Sequence, residues 1–129
     1  MQRIARRSRG LTLIEVLVVM ALFSFGLLGL VGLQAKAVQY SVGAEDSSRA
    51  ALLANEIVST MWGLRTVTLP TATVTAWQLR VANASVNGLP NGAGTITVSN
   101  NIATVTITWR GPSEPSTASH QYVTQVLIP

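Results

Sequence analysis

The sequence predicts an α+β fold, in which one long N-terminal helix packs the second half of its length on a small antiparallel sheet of about three strands. Three observations carry this reading. Residues 11–33 form an unbroken apolar run, residues 50–61 repeat apolar side chains at helical spacing, and beyond residue 94 the apolar period changes to two. With 129 residues the chain has room for one small domain besides the helix.

The first element is a basic leader, residues 1–10, which holds Arg3, Arg6, Arg7 and Arg9. It accounts for the formal charge of +4, because the remaining charges balance. Lys36, Arg49, Arg65, Arg80 and Arg110 stand against Glu15, Glu45, Asp46, Glu56 and Glu114. A basic nucleic-acid-binding face is therefore not expected, and nucleic acid is not an expected partner. The chain has no cysteine, which excludes a disulfide framework and a cysteine metal site.

Residues 11–33, LTLIEVLVVMALFSFGLLGLVGL, contain Glu15 as their single charge and no proline. A helix of that length reaches roughly 34 Å, enough for a hydrocarbon core of about 30 Å. The arginines before it and their absence just after it predict one span with a cytoplasmic N-terminus and an exported remainder. An ordinary secretory signal cut after Ala35-Lys36-Ala37 would instead release a plain domain starting at Val38, but its apolar region would be only about 7–15 residues long.

Residues 34–63 form the amphipathic half of the same helix. Ala50, Leu53, Ala54, Ile57, Val58 and Met61 share one face, while Glu45 and Arg49 form an i, i+4 pair. Gly43 is a candidate bend and Gly63 the expected stop. The apolar stripe needs a cover, and residues 64–129 are expected to supply it as a small exported α+β domain.

Within that domain residues 66–88 are ambiguous. Val74, Trp77, Val81 and Ala84 fit a helical face, yet Trp77, Leu79 and Val81 also alternate like a strand; a short helix is the preferred reading. Residues 87–94 are a loop by composition. Thr95–Val98 reads as one strand, Asn100-Asn101 as a turn, Ala103–Trp109 as a second strand and Gln121–Ile128 as a third, after a Pro/Ser-rich loop over residues 111–119.

Catalytic chemistry has little to rest on. His120 is the single histidine and lies beside a polar loop, the acidic residues form no metal-like cluster, and there is no phosphate-binding glycine motif. Trp62, Trp77 and Trp109 are expected in packing rather than on a stacking platform. No enzymatic activity and no cofactor are expected.

Arg9-Gly10-Leu11-Thr12-Leu13-Ile14-Glu15-Val16, a short basic leader and glycine followed at once by an apolar helix, resembles the prepilin signature of type IV pilins and type II secretion pseudopilins. The resemblance implies that a membrane aspartyl peptidase cuts between Gly10 and Leu11 and methylates the new amino group on Leu11. A residue without a side chain lets backbone enter a tight active site, which rationalises Gly10. Leu11 departs from the phenylalanine most members carry there.

A carboxylate inside a bilayer costs about 3 kcal/mol at the centre and less near an interface. The resemblance gives Glu15 a use: in a packed fibre it could pair with the Leu11 amine of a neighbour and fix register. The alternative is a carboxylate resting at headgroup level. Gly26, Gly29 and Gly32 are candidates for close helix–helix packing, with ordinary membrane-helix glycines as the bland alternative. Residues 24–34, 49–65, Trp77 with Leu89-Pro90-Asn91-Gly92, and Val105-Thr106-Ile107-Thr108-Trp109 are similar to PilV-type minor pilins.

The resemblance thus implies a minor pilin of a type IV pilus, acting in assembly, initiation or a tip complex. Its partners would be other minor pilins, the major pilin, the prepilin peptidase and the inner-membrane assembly platform. It would wait in the inner membrane as a single-pass protein with a periplasmic domain and then join the fibre at the cell surface. A type II secretion pseudopilin, and an adhesive or DNA-binding tip module, are the alternatives.

Overall fold

The computed structural model describes residues 12–129. The chain divides into two units, one ending at Tyr40 and one running from Ser41 to Pro129.

Helix α1, Leu13–Leu64, is 52 residues long and takes part in both units. Leucine, valine, methionine and alanine dominate its start, and no proline interrupts it, so helical hydrogen bonding continues through Gly43. Every residue from Thr12 to Glu45 is exposed.

In the second unit α1 buries Asp46, Ala50, Leu53, Ala54, Ile57 and Met61. The stripe expected from the sequence is therefore present, with Val58 half-buried at its margin, and it begins one turn earlier, at a charged residue.

The helix does not stop at Gly63. Arg65 takes the left-handed conformation, φ 50°. Its N–H donates to the Trp62 carbonyl at 3.2 Å, and the Thr66 N–H donates to that of Met61 at 3.1 Å. These are the two reverse bonds of a Schellman C-cap, centred on an arginine where glycine is the usual occupant. Gly63 instead lies in the last helical turn, too early to reverse the chain.

Residues 66–70 are irregular rather than extended. The Thr66 hydroxyl closes a local turn, accepting from the Thr68 N–H at 3.1 Å. Helix α2, Thr71–Ala82, comes after Pro70, whose carbonyl accepts from Thr73 and Val74 N–H at 3.0 and 3.2 Å. Trp77 and Val81, one turn apart, are its buried residues, whereas Leu79 is 67% exposed, so the helical reading of this segment holds. Ala84 lies beyond α2, exposed in a 3-10 turn over Ala84–Val86, because Asn83 breaks the helix and its side chain accepts from the Ser85 N–H.

Three strands complete the chain as an antiparallel meander: β1 Ala93–Ser99, β2 Ile102–Trp109 and β3 His120–Leu127, in the order β1-β2-β3. Strand β1 starts two residues before Thr95, inside what composition marks as loop. Asn100 and Asn101, at φ 50° and 64°, form the two-residue connection between Ser99 and Ile102. Positive φ at both positions gives the turn the twist of its strands, and asparagine tolerates that conformation better than most residues.

One face of the sheet, carrying Ala103, Val105, Ile107, Trp109 and Val126, closes over the α1 stripe with Trp77, Val81 and Leu89. Trp77 is the centre of this core. Fully buried, its indole N–H donates to the Leu53 carbonyl at 2.9 Å, so its one polar atom is satisfied. The same ring lies so close to Gly94 that a Cβ there would come within 2.6 Å of it.

Candidate functional site

The N-terminal helix is the strongest candidate site. Gly10 and Leu11, the expected scissile pair, lie outside the described residues. Thr12 immediately precedes α1, and its carbonyl accepts from the N–H of Glu15 at 3.0 Å and of Val16 at 3.2 Å. Thr12 is thus the N-cap and Glu15 the third helical residue, the T-x-x-E spacing of a capping box. That pattern stands in the sequence and gives both residues a further reason for their places.

Glu15 lies in the first turn of α1, where a carboxylate complements the positive end of the helix dipole. It is exposed, and no basic side chain among the described residues pairs with it.

Beyond Glu15 the surface is almost wholly apolar. Leu17, Val19, Leu22, Phe23, Phe25, Leu28, Val31 and Leu33 are all exposed. By length and composition this segment can cross a membrane, and none of it is buried within the chain. An exposed apolar surface of this extent marks a membrane or protein interaction site rather than the covered helix of a soluble core.

Gly26, Gly29 and Gly32 fit the same reading. A Cβ on any of them would meet nothing within 4 Å, so no contact among the described residues requires a glycine. Their value, if they are selected for packing, lies in letting another backbone approach. The three are not brought together with Glu15; they lie between about three and five turns further along α1.

The second unit offers less chemistry. A groove of about 460 Å³ is lined by Glu45, Ser48, Arg49, Leu52, Leu53, Glu56 and Asn87. Its charges are already engaged. Arg49 pairs with Glu45 and donates to the Gly88 carbonyl at 3.2 Å, and Glu56 pairs with Arg80. Asp46, 7% exposed, has the Arg49 guanidinium at 4.0 Å.

His120 opens β3, stacked on Trp109 with ring centroids 5.7 Å apart and its Nε2 at 2.8 Å from Glu114. The other Glu114 oxygen accepts from the Gly111 N–H at 2.8 Å. The His120 contact first and the Gly111 N–H second hold the Glu114 carboxyl below its usual range. This exposed clamp closes the 110–119 loop, and no nucleophile is bonded to the imidazole among the described residues. Nor do the described residues contain a grouping able to hold a metal ion.

Residues 5–31 match the family model described as the prokaryotic N-terminal methylation motif. No curated protein and no solved structure matches the chain. The motif is the type IV prepilin signature, and its bearers are in general structural subunits that are processed by a prepilin peptidase and assemble with other pilins. Signal and apolar helix together mark a chain anchored in a membrane through its N-terminus.

Proposed function

We propose that this chain is a minor pilin of a type IV pilus, cleaved between Gly10 and Leu11, methylated on the Leu11 amine, and held in the inner membrane by α1 until it enters the fibre. The observation that carries the reading is the methylation motif standing directly on a helix whose apolar surface none of the described residues covers. The motif accounts for export and cleavage. The bare helix accounts for assembly, since it exchanges lipid for the equivalent helices of neighbouring subunits.

In that exchange Glu15 acts as the registration residue. Cleavage places a new positive charge four residues before it, and a carboxylate with no basic partner among the described residues is free to pair with such an amine on an adjacent subunit. Desolvating both charges offsets most of their attraction, so the pair selects the stagger more than it strengthens the fibre. Gly26, Gly29 and Gly32 let the helices approach. The exported domain supplies lateral contacts to other minor pilins, in a complex that starts the fibre or sits at its tip. The similarity of residues 24–34, 49–65 and 105–109 to PilV-type proteins supports that placing.

Mass spectrometry of the terminal peptide from membrane-extracted protein tests the reading. A chain starting at methylated Leu11 is expected; one starting at Val38 would make it a released domain and end the fibre proposal. Glu15→Ala is then expected to be cleaved normally and to enter fibres poorly. Normal incorporation of that variant would remove the registration role. Co-purification with pilus or with type II secretion subunits decides between the two machines.

A further inference from the structure

We infer that β3 is a docking edge, which accepts an extended, uncharged strand from a different subunit and so continues the sheet to four strands. The inference rests on the fibre reading only for the nature of the partner.

The backbone geometry comes from the hairpin. Ser99 and Ile102 flank a two-residue turn and form a hydrogen-bonded pair, so Ile102, Thr104, Thr106 and Thr108 bond to β1. Their alternates in β2 bond to His120, Tyr122, Thr124 and Val126. The N–H and C=O groups of Gln121, Val123, Gln125 and Leu127 therefore point out of the sheet. None of them has a backbone partner elsewhere among the described residues.

Edge strands are usually guarded by lysine, proline, a bulge or a covering segment. Strand β3 reads HQYVTQVL, with no lysine, no carboxylate and no proline, and its pairing with β2 runs without a bulge from His120 to Leu127. Its flanking side chains are equally bare: Val123 is 46% and Leu127 56% exposed, and Tyr122 is only half-buried. The opposite edge is treated differently. On β1 the Gln78 side chain donates to the Gly94 carbonyl at 2.9 Å, and the Trp77 ring of α2 lies against the same glycine. One edge is capped at its start, whereas the other is open along its length.

The absence of charge from Gln121 to Leu127 selects a neutral partner strand with apolar or hydroxyl side chains. A second copy fits poorly. Joining β3 to its own twin requires a two-fold axis normal to the sheet, which sets the two α1 segments over residues 41–64 antiparallel. Subunits that enter one fibre from one membrane face run those segments the same way, which excludes the β3 of a twin, and a twin's β1 presents an edge already engaged at Gly94 by Gln78 and the Trp77 ring, so the strand comes from another chain.

Amide hydrogen exchange on the full, processed chain tests the inference, in detergent and in sheared fibres. In detergent Val123, Gln125 and Leu127 exchange fast while Tyr122, Thr124 and Val126 are protected; in fibres all six are protected. Val123→Pro removes one outward N–H without touching the β2 ladder, and Gln125→Lys places a guard charge on the edge while leaving every backbone group in place. Each is expected to keep the Trp77 fluorescence of the folded domain and to lower incorporation about tenfold, the worth of roughly one hydrogen bond. Fast exchange at Val123, Gln125 and Leu127 in fibres, or undiminished incorporation of both variants, overturns the inference. So does a disulfide dimer of Val123→Cys, which would put a second copy on the edge. The N-terminus is read on the same samples: a processed, incorporated chain with open edge amides defeats the docking strand alone, and an unprocessed one defeats the fibre reading.

Discussion

The end of α1 offers a sharp test of how its local geometry governs stability. Glycine stands at position 63, inside the last helical turn, and arginine at 65, in the left-handed conformation. Each residue is the better choice for the other's site. A Cβ on Gly63 would meet nothing within 4 Å, so Gly63→Ala adds no clash and recovers the backbone entropy glycine loses in a helix, about 0.5–1 kcal/mol. Arg65 at φ 50° holds its Cβ near the following carbonyl, at a cost of about 1–2 kcal/mol relative to a relaxed residue. Replacing it by glycine removes that strain but gives back roughly 0.4–1 kcal/mol of unfolded-state entropy. A net gain of about 0.5–1 kcal/mol remains.

The double variant Gly63→Ala/Arg65→Gly is then more stable by about 1–2 kcal/mol, less any coupling between such near neighbours. For a cooperative unit of this size, that raises Tm by roughly 4–16 °C. Thermal unfolding monitored by tryptophan fluorescence in detergent reads the second unit directly, because Trp77 is fully buried there. If Gly63→Ala destabilised the chain while Arg65→Gly left it unchanged, the reversal would sit at Gly63, as the sequence suggests. The hydrogen bonds assigned to Arg65 and Thr66 would then be wrong.

Three further outcomes are expected. Gly94→Ala forces a methyl group into the Trp77 ring and should cost about 1–3 kcal/mol, seen as a lower Tm with a red-shifted Trp77 emission; an unchanged Tm would mean that the ring has room to move. Ile57→Ala, at a site 1% exposed, should cost about 2–5 kcal/mol in the same assay. Glu114 has its carboxyl held below the ordinary value of 4.5, so the clamp on the 110–119 loop stabilises the fold above that pH and is lost as pH falls through the lowered value. Glu114→Gln should flatten that acid limb of the stability profile, and an identical limb in the variant would assign it to other carboxylates.

How much could be read in advance depends on where each segment's structure is decided. The Ala50–Met61 stripe and the Ala103–Trp109 alternation were legible because their burial obeys the period of their own backbone. Asn100-Asn101 was legible because turn chemistry is local. Residues 74–81 were legible only as a preference for helix, which the structure bears out, since Trp77 and Val81 suit either period. The decision there is made at a distance, by the Leu53 carbonyl that takes the indole N–H and by Gly94, whose missing side chain admits the ring.

Gly63 misled for a related reason: composition points to glycine at a helix end, while core packing holds Met61 in the helix and passes the reversal to Arg65. At the candidate site, the leader, the glycine and Glu15 were readable as a motif. The capping-box places of Thr12 and Glu15 were readable too and became evident from the backbone. The open edge of β3 was beyond reach, because it depends on which strand lies in the middle of the sheet.

The loop before β1 has a bearing on how long the protein lasts once it is made. Asn87-Gly88 and Asn91-Gly92 are pairs of the kind most prone to deamidation, in which the glycine nitrogen attacks the asparagine side chain. Here both nitrogens are occupied: Gly88 N–H donates to the Asn83 carbonyl at 2.9 Å and Gly92 N–H to that of Leu89 at 3.0 Å. Both glycines are also hemmed in by backbone, Gly88 by the Arg80 and Asn83 carbonyls and Gly92 by that of Val81. A five-membered imide would have to break a hydrogen bond and push into that backbone before it could close. Turns that look chemically perishable are thereby kept from ageing for as long as the domain stays folded, and unfolding, rather than time, sets their lifetime.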